Sequence, residues 1–349
     1  MKFKLKCPIC HLEKDFQVNS IFCPVCSQPM LIQDPEIKGK KVRKNFNLSL
    51  EKFQEFLPLK EVKKELSLGE GLTPFLRLQH IEKNRQLYAK IEASNPTLSF
   101  KDRGSVVVIH KAVELGLEKV GTVSTGNMAS STAAYAAKAG LQSVLLVKKG
   151  TSLNSLISSA VFGPIIIEVD GDYGQLFYRS YELGKKYQIY FANSVDPMRI
   201  EGYKLTSLEI SLELGQSPDY LYVPVSSGGH FMGLFKGFAE LKEAGLIKSQ
   251  PKFIGVQAEG CAPVVRAFEM NKEKVEKFSP VSTMAHSISN PQPPAGNLVL
   301  KIIRENNGFL IAISDDEMKQ AQKLLASTEG LFVQPESAST LAAYLKLKE

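Results

Sequence analysis

Lys101 stands in the stretch Asn95-Pro-Thr-Leu-Ser-Phe-Lys-Asp-Arg-Gly104, after a proline-containing polar turn and before an apolar-periodic run from Val106 to Leu115. A lone lysine is ordinarily a solvated surface charge. At a handover from loop to helix its amine is instead held and aimed. Two more strand-to-helix junctions carry unusual chemistry. Ser124-Thr125-Gly126-Asn127 closes one strand-like run and opens an alanine-rich helix. Small residues there expose backbone amides that seat an anion, although Ser, Thr and Asn serve equally as N-caps. Ser226-Ser227-Gly228-Gly229-His230 follows the run Leu221 to Val225, and adjacent glycines let the chain curl its amides around a phosphate. A lysine amine and a phosphate cradle in one α/β chain suggest pyridoxal phosphate. The lysine forms a Schiff base, the glycine turn holds the phosphate, and the ring withdraws electrons. A nucleotide fits less well, because neither a Walker-type lysine loop nor a GxGxxG turn sits between strand and helix.

Four of the five cysteines form Cys7-x-x-Cys10 and Cys23-x-x-Cys26. Two such turns on a short hairpin make a four-sulfur site for structural zinc, with Asp15 to Val18 as a strand between them. Two disulfides are the rival reading, and they suit an oxidising compartment that nothing else in the sequence suggests. His11 is a bystander and Cys261 a packing residue.

These groups need elements to position them. The 349 residues are 44% hydrophobic, more than one core usually organises. Strands are expected at 120–124, 143–148, 164–169, 188–192, 220–225, 253–257 and 309–313. Helices are expected at 130–139, 175–187, 200–214, 231–244, 315–327 and 337–348. This alternation predicts an α/β protein with two open, mostly parallel twisted sheets, whose ligands bind beyond the carboxyl ends of strands. The expected domains are a zinc ribbon (1–32), a charged and partly helical connector (33–66), a large cofactor-binding domain (67–105 and 193–349) and a small α/β domain (106–192). The net charge of +7 is mild. The cluster Lys38, Lys40, Lys41, Arg43 and Lys44 reads as a solvated linker rather than a nucleic-acid site. With no signal peptide or membrane-spanning run, a cytoplasmic protein is expected.

The stretch around Lys101 resembles NPTGSFKDRG, the cofactor-lysine motif of threonine synthases, within the tryptophan-synthase-β-like, fold type II pyridoxal phosphate enzymes. Gly69-Glu-Gly-Leu-Thr-Pro74 resembles their GEGxTP opening, residues 124–127 their STGN loop, and Asn193 to Gly202 their NSVNPxRIEG segment. Val256 to Gly260 and Gln334 to Ala338 are similar to the later GVQAEG and EPASA stretches. The resemblance implies two lobes with the cofactor between them, a homodimer, and a small phosphorylated amino acid as substrate. Lys101 would carry the cofactor and move protons. Asn127 would meet the ring hydroxyl, Ser124, Thr125 and Gly126 the substrate carboxylate, and residues 226–230 the cofactor phosphate. Asn193, Ser194 and Arg199, with Thr125, would bind the phosphate of O-phosphohomoserine, and a guanidinium fork suits that dianion. Phosphate would leave from Cγ and water add at Cβ, giving threonine.

The pattern also departs from the family. Leu98 replaces a glycine, Met128 a hydroxyl residue, Ser227 an asparagine, and His230 a smaller residue. Each lost hydrogen bond to a charged group costs roughly 1.5–3 kcal/mol, enough to shift substrate preference. Relatives continue past the EPASA-like helix into a strand whose Ser or Thr meets the pyridine nitrogen, and such a strand is not found before Glu349. The alternatives are therefore a cysteate-synthase-like β-replacement on O-phosphoserine, a related amino-acid lyase, or a relative that binds cofactor or a partner without turnover.

Overall fold

The computed structural model describes residues 3–44, 46–171 and 173–348. Strands β1 (Lys4–Lys6), β2 (Glu13–Asp15) and β3 (Leu31–Gln33) form an antiparallel ribbon in the order β2-β1-β3. The strand expected at 15–18 lies earlier in the chain, and the residues after it make the turn instead. Among its described residues the connector holds a four-residue helix, α1 (Ser49–Lys52), and short 3-10 turns.

The chain divides into two units, Met1–Thr73 with Glu92–Glu209, and Pro74–Ile91 with Ile210–Glu349. These divisions fall elsewhere than the expected boundaries: ribbon and connector join the first unit, as do 92–105 and 193–209. After α2 (Lys101–Glu114) the first unit alternates β6 (Lys119–Val123), α3 (Asn127–Lys138), β7 (Gln142–Lys148), α4 (Leu153–Ala160), β8 (Ile165–Val169), α5 (Tyr173–Tyr187) and β9 (Tyr190–Phe191), where β4 and β5 are the hairpin Phe75–Arg77 and Tyr88–Lys90 of the second unit. The four strands pair in parallel in the order β8-β7-β6-β9. Residues 143–147 of β7 are buried without alternation, as expected of a parallel strand covered on both faces.

The single helix expected at 200–214 is two, α6 (Pro197–Tyr203) and α7 (Leu205–Leu214). Between them Lys204 is fully buried and pairs with Glu201 at 2.5 Å. Helices α2 and α6 touch almost backbone to backbone. A Cβ on Gly202 would lie 1.9 Å from the Arg103 carbonyl oxygen, and one on Gly104 2.5 Å from the Tyr203 ring. Only glycine permits that approach. The final glycines of KDRG and RIEG are therefore a packing pair.

In the second unit β10 (Tyr220–Pro224), β11 (Lys252–Ala258) and β12 (Phe309–Ile313) form a parallel sheet in that order. The helices are α8 (Gly229–Glu243), α9 (Pro263–Glu269), α10 (Gly296–Glu305), α11 (Asp315–Glu329) and α12 (Pro335–Leu347). Val256, Ala258, Ile311 and Ile313 pack with Met318, Ala338 and Leu341 into its core. Helix α11 opens with a reciprocal capping box between Ser314 and Glu317. Among the described residues no helix is long and apolar enough to cross a membrane.

Candidate active site

Lys101 is the first residue of α2, one turn earlier than the apolar run alone suggested. Its ammonium lies 4.0 Å from the centre of the Phe100 ring, and Phe100 packs edge-on against Tyr203 of α6 at 5.1 Å. The turn before it is tied inward. Thr97 gives both its backbone N–H (2.6 Å) and its hydroxyl (2.5 Å) to the Asp102 carboxylate. Burial pushes the Asp102 pKa up, against the hydrogen bonds from Ser131 and Thr97. Leu98 adopts φ +61° at the position where the resemblance calls for glycine, and is 74% exposed.

The motifs at 69–74 and 95–104 are one hydrogen-bonded unit. The Asn95 amide oxygen takes the Gly71 N–H (3.0 Å), Glu209 takes that of Leu72 (2.8 Å), and Glu92 takes the Thr73 hydroxyl (2.9 Å). Arg103, with no exposed surface, ties them together: Nε reaches Glu92 at 2.7 Å and Nη1 reaches Glu209 at 2.6 Å. Burial works against the Arg103 charge, but the two carboxylates outweigh it and hold it firmly protonated. Glu70 receives the buried Tyr135 hydroxyl at 2.8 Å. Sequence reading missed Glu92, Tyr135 and Glu209, because nothing in their local spacing marks them.

At the STGN junction Gly126 is the N-cap of α3, and no side chain caps the first turn. Asn127 is the first helical residue, and Ser124 and Thr125 are half-buried beside it. The glycine turn of the second unit has the same construction. Gly228, at φ +92°, is the N-cap of α8, again without a side-chain cap. A Cβ there would lie 2.8 Å from that of Ala295. Ser227 is fixed from behind: Ala295 N–H donates to its carbonyl (3.1 Å) and Asn290 Nδ2 to its hydroxyl (3.2 Å). Asn290 is a further missed residue, and its Asn-Pro pair was the available signal. His230 is the second residue of α8. Most other helices likewise lack a side-chain cap, while α6 and α11 carry one, from Asp196 and Ser314. Helix N-termini left uncapped by side chains offer backbone N–H groups to anions. Both cradles fit the carboxylate and phosphate groups of pyridoxal phosphate chemistry.

Asn193, Ser194 and Arg199 follow β9. The Asn193 amide oxygen accepts from Val123 N–H (2.8 Å) and the Thr122 hydroxyl (3.2 Å), joining β9 to the end of β6. Ser194 Oγ is buried and has no hydrogen-bond partner among the described residues. Arg199 has no exposed surface. Its Nε donates to the Ala192 carbonyl (2.5 Å), Nη1 to Ser105 (2.9 Å) and Nη2 to Thr132 (2.7 Å). The fork expected to meet substrate phosphate is thus anchored on protein oxygens. Met128, 7% exposed, occupies the place of the expected hydroxyl.

The sulfur atoms of Cys7, Cys10, Cys23 and Cys26 lie within 4.8 Å of one another. Burial opposes ionisation of Cys23, yet the N–H groups of Cys26 and Val25 and the neighbouring thiols bring it to about 7. Burial and the surrounding thiols push Cys26 up to about 12. Such a cluster resists accumulating negative charge until a cation joins it. The donor set suits zinc, with Zn–S bonds of about 2.3 Å. Cys261 is fully buried, and burial pushes its thiol up to about 11, as befits a packing residue.

Residues 66–349 match the pyridoxal-phosphate dependent enzyme family, and the chain belongs to it. Its cofactor is pyridoxal phosphate. Within that class, the chain is 39% identical to a threonine synthase of Methanocaldococcus jannaschii over 323 residues, 90% of this chain and 80% of that one. It is 35% identical to a threonine synthase of a Bacillus species over 85% of this chain and 83% of the relative. Among solved structures, a Dictyostelium discoideum serine racemase superposes with a TM-score of 0.68 at 21% identity, covering 86% and 90% of the two chains. A maize serine racemase gives 0.67 at 20%, covering 79% and 82%. These two likenesses bear on the fold, that of fold type II pyridoxal phosphate enzymes.

Proposed function

We propose that the chain is a threonine synthase, converting O-phospho-L-homoserine and water into L-threonine and phosphate. One observation carries this reading: Lys101 opens α2 within a turn wired to the 69–74 motif, in a chain 39% identical to a threonine synthase. Lys101 holds the cofactor, takes the proton from substrate Cα, and returns protons at neighbouring carbons. The bound cofactor supplies an electron sink. Residues 226–230 and the first turn of α8 hold the cofactor phosphate, and Asn127 the ring hydroxyl. Ser124, Thr125 and Gly126 orient the substrate carboxylate.

Asn193, Ser194 and Arg199 form the substrate-phosphate seat. Ser194 brings a hydroxyl with no protein partner among the described residues. Arg199 is fully buried, three bonds to protein oxygens fix its plane, and it brings its positive charge to the seat. The second reading, β-replacement on O-phosphoserine, draws on Met128. An apolar side chain there offers no hydrogen bond to a phosphate. We assign zinc to the four cysteines, and a homodimer in the cytoplasm to the working enzyme. Lys101→Ala tests the core of this reading. The variant should fold and lose the yellow absorbance of bound cofactor together with all turnover; a normal cofactor spectrum would remove Lys101 from its role.

A further inference from the structure

The Asn19 side chain fastens the ribbon to the outer edge of the four-stranded sheet. Asn19, at φ +58° and 4% exposed, lies between the two cysteine pairs. Its Nδ2 donates to the Ile189 carbonyl (2.8 Å) and its Oδ1 accepts the Phe191 N–H (3.0 Å). Strand β9 is the sheet's outer strand and pairs inward with β6, where Ala192 N–H donates to the Gly121 carbonyl (3.0 Å). The Ile189 and Phe191 groups belong to its outward edge. The Asn19 amide therefore does there what one peptide group of a neighbouring strand would do. Asparagine suits the position twice, tolerating the left-handed backbone and carrying a peptide-like amide. Gly184 leaves room for it: a Cβ there would lie 2.5 Å from Asn19 Nδ2.

A second line runs in parallel. Phe22, next to Cys23, packs on Phe177, Tyr178 and Tyr181 of α5, with ring centres 5.6–6.2 Å apart. Ser180 of the same helix accepts a hydrogen bond from Asn193 Nδ2 (2.9 Å). Both lines end on Asn193. One runs through β9 and Ala192, whose carbonyl also anchors Arg199; the other runs through α5. Lys14 stiffens the start of this clamp by donating to the Ser20 carbonyl at 2.6 Å.

We propose that the ribbon is a metal-held clamp on the substrate side of the sheet, and that Asn19 is a positioning residue for Asn193, Ser194 and Arg199. The metal then governs how well substrate binds, though it lies in no reacting centre. The effect on substrate rests on the activity proposed above; the clamp itself does not.

The test uses the full-length, cofactor-loaded protein as wild type, as Asn19→Ala, and as wild type stripped of metal by a chelator. Hydrogen exchange over residues 188–196 should quicken about tenfold in both altered forms, because the outer edge of β9 opens locally. The KM for O-phosphohomoserine should rise by about fivefold to tenfold while kcat stays within about twofold, the pattern of lost substrate binding rather than lost chemistry. Stripping metal from Asn19→Ala should add less than it adds to wild type, since only the Phe22 line is left to open. Unchanged exchange in Asn19→Ala would overturn the clamp. Faster exchange with an unmoved KM would reduce the ribbon to a structural strap and overturn the positioning role. A wild type that turns over neither O-phosphohomoserine nor O-phosphoserine overturns the activity alone. In that case exchange and the affinity for L-threonine, read from cofactor absorbance, decide the clamp by the same criteria.

Discussion

Leu98 shows how one residue can depart from its motif without dismantling it. At φ +61° a branched side chain strains the backbone by roughly 1–2 kcal/mol, and glycine would relieve that strain at an entropic cost of about 0.5–1 kcal/mol. With the side chain mostly in solvent, Leu98→Gly should raise stability by up to about 1 kcal/mol in urea unfolding, whereas Leu98→Val should lower it. Asp196 is a second test at this scale. Burial drives its pKa up to about 6, against hydrogen bonds from Tyr190 and Met198 and the charge of Arg199. The folded protein therefore holds this proton more tightly than the unfolded chain does. Its contribution to stability is fullest below about pH 4, falls as pH rises toward 6, and is lost above that. Asp196→Asn, which keeps the N-cap, should flatten this part of the melting-temperature profile between pH 4 and 7. An unchanged profile would place the titration elsewhere. Arg199 shows where residue-level reading stopped. Its type and motif were legible, but its partners Ser105 and Thr132 lie 94 and 67 positions away and left no local trace.

At the scale of elements, the three junctions singled out by composition are all helix starts: Lys101 for α2, Asn127 for α3 and Gly229 for α8. Each helix begins before its apolar periodicity does. Glycine, serine and asparagine read as loop, yet they occupy first turns where backbone N–H groups face outward. All seven strands expected in the α/β part are present, because buried parallel strands are short apolar runs bounded by turn residues. The β4–β5 hairpin was not legible, since three-residue strands carry too little pattern. Helices α4, α9 and α10 were missed as well. Serines dilute the apolar spacing of α4, and α10 follows a proline-rich loop. The contact of α2 with α6 was invisible in either helix alone. It makes a direct prediction: Gly202→Ala puts a methyl group against the Arg103 carbonyl. That overlap should cost at least about 3 kcal/mol or prevent folding, and it should disturb Lys101 binding to cofactor in any protein that does fold. A variant of wild-type stability would refute the close contact.

At the scale of the whole molecule, the chain is two units, each with a parallel sheet and the first including the ribbon, and it belongs to the pyridoxal-phosphate dependent enzyme family. The order of the motifs made the family legible. The division into units was not, because it follows the packing of α6 on α2 and of the 74–91 hairpin, not the order of motifs along the chain. Under the proposed threonine synthase reading, Ser194, Arg199 and Met128 set the choice of substrate. The most direct measurement is phosphate release by the cofactor-loaded protein with O-phosphohomoserine and O-phosphoserine in parallel, identifying each amino-acid product. The account predicts phosphate and threonine in equal amounts from O-phosphohomoserine. Turnover of O-phosphoserine alone, or release from neither substrate with cofactor bound, would contradict it.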